Sequence, residues 1–480
     1  MSDTAWETVI GLEVHCELRT KTKLFCGCRN AFGDEPNTNI CPVCLGLPGS
    51  LPVLNRQAVD YAIRIGTALN CRVQTSIFHR KNYFYPDMPK DFQISQYDVP
   101  INAEGWLELP SGKRVGVVRA HIEEDTGKTT HVGGGGRIHQ AGYSLVDYNR
   151  AGVPLVEIVS APDLRSAEEA RDYVEELRAV LVATGASDGK MEEGSLRVDC
   201  NVSVRPAGSD AFGTRCEIKN MNSLRSLGRA IVYEAARQVD LVESGEAVVL
   251  ETRHWDEADG RTHSMRSKEE AFDYRYFPEP DLVKLAPSPQ WVEDVRGDLP
   301  VLPAQRRRQV AEATGEDVAS EAVATVVRLG LDSLVSAAVA AGSDASLALR
   351  RLANEVAGEI GDKAGAAGGE IDPKAFVKLI RMEQSGELTS AQARTVLKAL
   401  VPAGGDPAQI AEALGFRAMD APALARAVDQ VIADNQREWQ RYASGDDKVA
   451  GFLIGKVKAA TGGNADLRAA TELLRHRRGS

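Results

Sequence analysis

The chain has no apolar run long enough to span a bilayer. Glu7, Glu13, Glu17 and Arg19 stand where a secretory leader would need an uninterrupted apolar core. Neither a membrane protein nor a secreted one is expected, and the expected setting is cytoplasmic. Two phosphate-binding signatures are also missing. Gly127, Lys128 and Thr129 resemble the end of a P-loop, but Ile122 occupies the place of its first glycine, and the run Gly133 to Gly136 lacks the spacing of a dinucleotide turn. Any nucleotide chemistry here must use a different kind of site. No internal repeat is visible, and there is no net positive charge to advertise a nucleic-acid partner, since the 480 residues carry a formal charge of −11.

What is present fits a soluble globular chain, with 43% hydrophobic and 26% charged residues. The length exceeds what one hydrophobic core usually serves, so two or three domains are expected. Up to about residue 290 short alternating segments dominate, broken by Gly and Pro, with helices expected at Ser166 to Thr184 and Ser223 to Ser244. Pro280, Pro287, Pro289, Pro300 and Pro303 then mark a boundary. Beyond it Val323, Val326, Val327, Leu331, Leu334 and Val335 recur at helical spacing, and the Gly-rich stretches Gly361 to Gly369 and Pro402 to Pro407 break the helical half. The expected fold class is α+β: a sheet-rich domain at 1–292, a helical domain at 293–405 and a small helical tail at 406–480. From Lys448 onward seven Lys/Arg face only Asp466 and Glu472. A basic tail on an acidic chain suits RNA, although a solvated helical surface would look similar.

Alternation identifies polar sheet faces. Leu196, Val198, Cys200, Val202 and Val204 point one way, so Arg197, Asp199, Asn201, Ser203 and Arg205 point the other. Cys216 and Ile218 oppose Arg215, Glu217 and Lys219 in the next segment, and an antiparallel hairpin is expected between the two. The first strand behaves alike, with Glu13, His15 and Glu17 opposite Leu12, Val14, Cys16 and Leu18. Two readings stand: solvated faces of half-buried strands, or one cluster of carboxylates, imidazole and cations suited to Mg²⁺ and phosphoryl transfer.

Cys26, Cys28, Cys41 and Cys44 have the pair, loop, pair layout of a four-thiolate zinc site, with buried free thiols as the alternative. Cys16, Cys71, Cys200 and Cys216 read as small core hydrophobes.

Several blocks taken in order carry a resemblance. VIGLEVHCEL (9–18), RKNYFYPDMPKDFQISQYD (80–98), HIEEDTGK (121–128), SLVDYNRAGVPLVEIVS (144–160), MEEGSLRVDCNVSVRP (191–206), EIKNMNS (217–223) and DYRYFPEPD (273–281) together resemble the B-subunit family of aspartyl/glutamyl-tRNA amidotransferases. The resemblance implies a glutamine-synthetase-like catalytic cradle, a helical domain and a small tRNA-associated tail. It also implies a two-step reaction: ATP phosphorylates the side-chain carboxylate of Glu-tRNA(Gln) or Asp-tRNA(Asn), and ammonia from a partner amidase, the A subunit, then displaces phosphate. The small C subunit would complete a heterotrimer.

Carried over by residue, the metal and phosphoryl-transfer set is Glu13, His15, Glu124, Glu157 and Glu217, with Asp199, Asn201 and Lys219 beside it. Glu157 comes from the resemblance alone, and Glu123 and Asp125 rank behind Glu124 because they flank it on a strand. Lys81, Lys90 and Arg150 are candidate phosphate contacts by charge. Tyr83 and Tyr85 could stack the terminal adenine of tRNA or simply fill a packed loop. Lys448, Lys456, Lys458, Arg468, Arg475, Arg477 and Arg478 are candidate tRNA-backbone contacts. No Ser-rich amidase signature or spare cysteine is present to hydrolyse glutamine. An ATP-dependent ligase of a free small acid, and a non-catalytic tRNA scaffold, are the competing readings.

Overall fold

The computed structural model describes residues 5–133, 141–267, 274–360, 371–416, 421–462, 465 and 467–479. The expected break at Gly361 to Gly369, and Gly134 to Gly136 of the glycine run, lie outside these residues. The chain separates into two compact units, Met1–Ala304 and Gln305–Ser480.

The strands of the first unit are β1 Trp6–Glu17, β2 Arg72–Val73, β3 His79–Asn82, β4 Phe92–Ser95, β5 Asn102–Glu108, β6 Arg114–Glu124, β7 Lys128–Val132, β8 Tyr143–Asp147, β9 Pro154–Ser160, β10 Leu196–Pro206, β11 Cys216–Lys219, β12 Glu251–Asp256, β13 Arg261–Ser267 and β14 Phe277–Pro278. Nine of them form one sheet in the order β13-β12-β11-β10-β1-β9-β6-β5-β2. Every neighbouring pair is antiparallel except β11 with β12. A smaller sheet, β14-β3-β4, carries Lys81, Gln93 and Ser95, which line a cavity together with residues of the large sheet.

Helices α1 Arg56–Ala68, α2 Ala167–Ala183 and α3 Leu224–Glu243 contribute to the core behind the large sheet. The side-chain oxygens of Asn55, Ser166 and Ser223 cap their first turns, each satisfying an N–H that the helix itself leaves unpaired. Leu12, Val14 and Cys16 of β1, Val156 and Ile158 of β9, and Val198 and Cys200 of β10 are buried against Val59, Ile63, Tyr173, Leu177, Leu227 and Ile231. Two of these helices match the sequence expectation. The third, α1, departs from it, although Val59, Ala62, Ile63 and Gly66 form a regular buried stripe. Its backbone meets β5 closely: a Cβ on Gly66 would stand 1.9 Å from Asn102 Oδ1.

A short helix α4, Pro289–Gly297, follows the proline-marked stretch and places Val295 in the same core. The second unit is helical and contains two separate hydrophobic clusters, one from Val310 to Ala411 around Phe376, Leu349 and Leu397, the other from Leu424 to Leu474 around Leu453 and Val457. Among the described residues, no single helix is long and apolar enough to cross a membrane.

Candidate active site

Register alone builds the site. His15 on β1 pairs with Glu157 on β9, Glu157 pairs with His121 on β6, and Arg197 on β10 lies across from His15. The period of two therefore lines Arg197, His15, Glu157 and His121 in one row on the face away from the core. Along the adjacent row Asp199 faces Glu13, with Arg119 across from Val159. These side chains border a cavity of about 750 Å³, closed on another side by Lys81, Tyr83, Tyr97, Tyr274 and Tyr276.

The centre is a knot of two imidazoles and two carboxylates. His121 Nε2 lies 3.3 Å from Glu157 Oε2 and 3.8 Å from Glu123 Oε2. His15 Nε2 lies 3.7 Å from Glu123 Oε1 and 3.8 Å from Glu157 Oε2. Burial opposes charge on His121, Glu123 and Glu157. Mutual attraction nevertheless outweighs it, raising His121 to about 9, lowering Glu123 and holding Glu157 well below the usual carboxylate range. Lys81 is half-buried; desolvation works against its charge, but the same two carboxylates raise it, and it sits 4.8 Å from the Tyr274 ring. His15, Glu123 and Glu157 each offer a ligand atom within 4.8 Å of the others. Two carboxylates with one imidazole, on a wall with room beside it for water and phosphate oxygens, fit a hard divalent cation.

The remaining expected residues divide into those on the wall and those off it. Glu13 accepts from Asn201 Nδ2 at 2.9 Å. Glu217 is held by Thr252 Oγ1 at 2.9 Å and by Lys219 Nζ at 3.3 Å, and Lys219 also pairs with Asp199. Burial works against the Lys219 charge, but Asp199 and Glu217 raise its pKa above the ordinary lysine value.

Glu124 lies apart from this wall. It succeeds Glu123 on β6, so alternation turns it to the other face, where it accepts from Lys90 Nζ and, at 2.9 Å, from the Ile94 amide. That pair belongs to a separate cavity of about 230 Å³ shared with Cys26, Cys44 and Arg80, which also takes Lys90 out of reach of the histidine cluster. Arg150 is committed elsewhere as well, to Asp125 Oδ2 at 3.4 Å and the carbonyls of Thr126 and Gly127 at 3.0 Å each.

Sequence reasoning did not single out His121 or Arg119, set Arg197 on the polar face without giving it a role, and ranked Glu123 behind Glu124. The alternation of Ala120 and Ile122 into the core against Arg119, His121 and Glu123 was the available signal. Tyr97 and Tyr276, stacked with centroids 4.2 Å apart, were also missed. Their proximity joins segments far apart in sequence and leaves no local trace. Tyr83 reaches the cavity and stacks on Tyr85 at 4.6 Å.

The sulfurs of Cys26, Cys28, Cys41 and Cys44 all lie within 4.8 Å of one another. The Cys41 amide donates to Cys44 Sγ at 3.1 Å, and a hydrogen bond from Cys26 brings Cys44 down to about 5. A donor set of four thiols with one already favouring thiolate is compatible with structural zinc. In the tail, Arg477 and Arg478 are tied to Asp429 and Asp447. Lys448, Lys456, Lys458 and Arg475 are exposed, and the side chain of Arg468 lies outside the described residues.

Residues 8–293 match the family described as the GatB/GatE catalytic domain, and residues 333–477 match the GatB domain. Among relatives, the B subunit of the aspartyl/glutamyl-tRNA(Asn/Gln) amidotransferase of Carboxydothermus hydrogenoformans is 47% identical, covering 98% of each chain. The proteins of that name from Frankia casuarinae and Salinispora arenicola are 50% and 49% identical, each covering 99% of this chain and 96% and 97% of their own. The histidine and carboxylate wall, built on the segments that the catalytic-domain family spans, is thus carried by a chain that belongs to the family of amidotransferase B subunits.

Proposed function

We propose that this chain is the ATP-using, tRNA-facing subunit of a ligase-type amidotransferase that converts Glu-tRNA(Gln), Asp-tRNA(Asn) or both into the amidated forms. The convergence of His15, Glu123 and Glu157 on a large polar cavity is the observation that carries it. A side-chain carboxylate is unreactive toward ammonia. Its oxygen attacks the γ-phosphorus of ATP, ADP leaves, and ammonia then adds to the acyl phosphate carbonyl and expels phosphate. Magnesium held by Glu123, Glu157 and His15, with Glu13 and Glu217 further along the wall, would neutralise phosphate charge during the first step.

The chain's own groups do the rest. Lys81 and Lys219 supply fixed positive charge at the cavity, and the tyrosine wall positions the tRNA end by stacking. The sheet, polar on one face and helix-covered on the other, supports a glutamine-synthetase-like cradle.

Ammonia comes from another chain. Burial pushes the Cys16, Cys71 and Cys216 thiols up to about 12 and Cys200 well above its ordinary value, so none is an activated nucleophile. The four remaining cysteines form the zinc-type cluster. The amidase partner and a small third chain complete the assembly in this reading. Boundaries near residues 292 and 405 would divide catalytic, helical and tRNA-binding tail domains.

Glu157→Ala should lower tRNA-stimulated ATP hydrolysis at least about a hundredfold, the scale of losing one well-placed electrostatic group, with tRNA binding retained. Unchanged hydrolysis would end the catalytic assignment.

A further inference from the structure

The edge hairpin of the large sheet carries donors that the cavity does not use. β12 and β13 pair antiparallel, with His254 opposite His263 and Asp256 opposite Arg261, and the turn between them holds Glu257 and Asp259. Asp256, Asp259 and His263 each offer a ligand atom within 4.8 Å of the other two. His263 Nε2 lies 2.7 Å from Asp259 Oδ2, and the His254 ring stands beside that of His263 with centroids 5.4 Å apart. None of these four side chains borders the large cavity. The turn is anchored before any ligand arrives. Glu257 accepts from Trp255 Nε1 at 2.6 Å and from Ser226 Oγ on α3 at 2.9 Å, and Trp255 is buried. The Ala258 and Arg261 amides donate to Asp256 Oδ1 and Asp259 Oδ1 at 2.9 Å each. Donors on a frame fixed in this way lose little freedom when a ligand binds.

A surface ion pair needs one carboxylate and one imidazole. Here a second carboxylate converges on the pair and a second imidazole stands across the ladder. From this convergence we propose that the β12–β13 hairpin is a site for a zinc-class divalent metal ion, held by Asp256, Asp259 and His263 with His254 in reach as a fourth donor. Carboxylate oxygens with imidazole nitrogens suit zinc or nickel. Magnesium suits the hairpin less, because it keeps its waters and completes its shell with phosphate oxygens, which the cavity cluster would find in ATP and the hairpin does not. The Asp259 and His263 side chains are each 44% exposed, so the ion exchanges with solvent more readily than one closed in by four cysteines. Bound there, it ties the edge strand β13 to β12. Thr252 of β12 in turn holds Glu217 of the polar wall, so the ion steadies the edge on which that wall leans.

Equilibrium dialysis of the full chain against nickel(II), with magnesium in excess and the cysteine loop already loaded with zinc, tests the assignment. His263→Ala and Asp259→Asn should each weaken one nickel equivalent at least about tenfold, the lower end of what even an outer partner of a metal ligand contributes. His15→Gln should leave that equivalent in place. Asparagine keeps an Oδ1 acceptor for the Arg261 amide, and both side chains are half out of the protein, so neither substitution threatens the fold. Nickel should also slow amide exchange across residues 261–264 in the unmodified chain and leave it unchanged in His263→Ala. Nickel binding in His263→Ala equal to that of the unmodified chain overturns the site. Loss of the same equivalent in His15→Gln, with His263→Ala unaffected, gives the ion to the cavity cluster and overturns it equally.

Discussion

His121 shows how the site stores charge. Burial disfavours its imidazolium, yet Glu157 and Glu123 lift its pKa to about 9, whereas an unfolded histidine titrates near 6.5. A group whose folded pKa is raised stabilises the fold fully below its unfolded pKa and ceases to do so as pH climbs through the folded one. Without added magnesium, the unfolding free energy should therefore decline between about pH 6.5 and pH 9, by up to about 3 kcal/mol for a shift of this size, and the urea midpoint should fall with it. His121→Gln should flatten that window, and equal slopes in the two proteins would refute the pairing. The same residues show what sequence gives at this scale. Glu13, His15, Asp199, Glu217 and Lys219 were legible because strand alternation sorts faces directly. That Glu123 rather than Glu124 faces the histidines depends on the strand's phase, which Ala120 and Ile122 set by entering the core.

Among elements, α2, α3 and the β10–β11 hairpin were readable from local pattern: a serine cap, an apolar helical stripe, a polar loop between alternating segments. Helix α1 was equally local in its signal, a buried stripe behind an Asn cap. The strand order was not readable. β1 sits between β10 and β9, and pairings across so much sequence are fixed by long-range burial rather than by any neighbour. The cysteine loop is the intermediate case, because spacing proposed four ligands and only the fold could bring the two pairs within reach. Four protein ligands would leave no open position, so zinc here would brace the loop. Metal analysis should find about one zinc per chain, and Cys44→Ser should remove it and lower the thermal midpoint while ATP affinity stays within about twofold. A zinc-free protein of undiminished thermal stability would make the cluster four ordinary thiols.

For the whole molecule, charge distribution matters more than its sum. A chain at −11 repels RNA at long range, so attraction must be local and screened within about a Debye length. The tail offers that locality, but less than its lysine and arginine count implies: Arg477 and Arg478 are already neutralised by Asp429 and Asp447. Lys448, Lys456, Lys458 and Arg475 remain exposed. Each phosphate neutralised releases counterions and steepens the fall of affinity with salt. Ending the chain before Asp406 should therefore weaken tRNA binding and reduce the slope of log K against log salt by up to about 3.6, the share of four cations at roughly 0.7 to 0.9 each. Arg477→Ala in the full chain should leave the slope nearly unchanged, because its charge is engaged with Asp429. A truncated chain that kept both affinity and slope would return all tRNA recognition to the residues before Asp406.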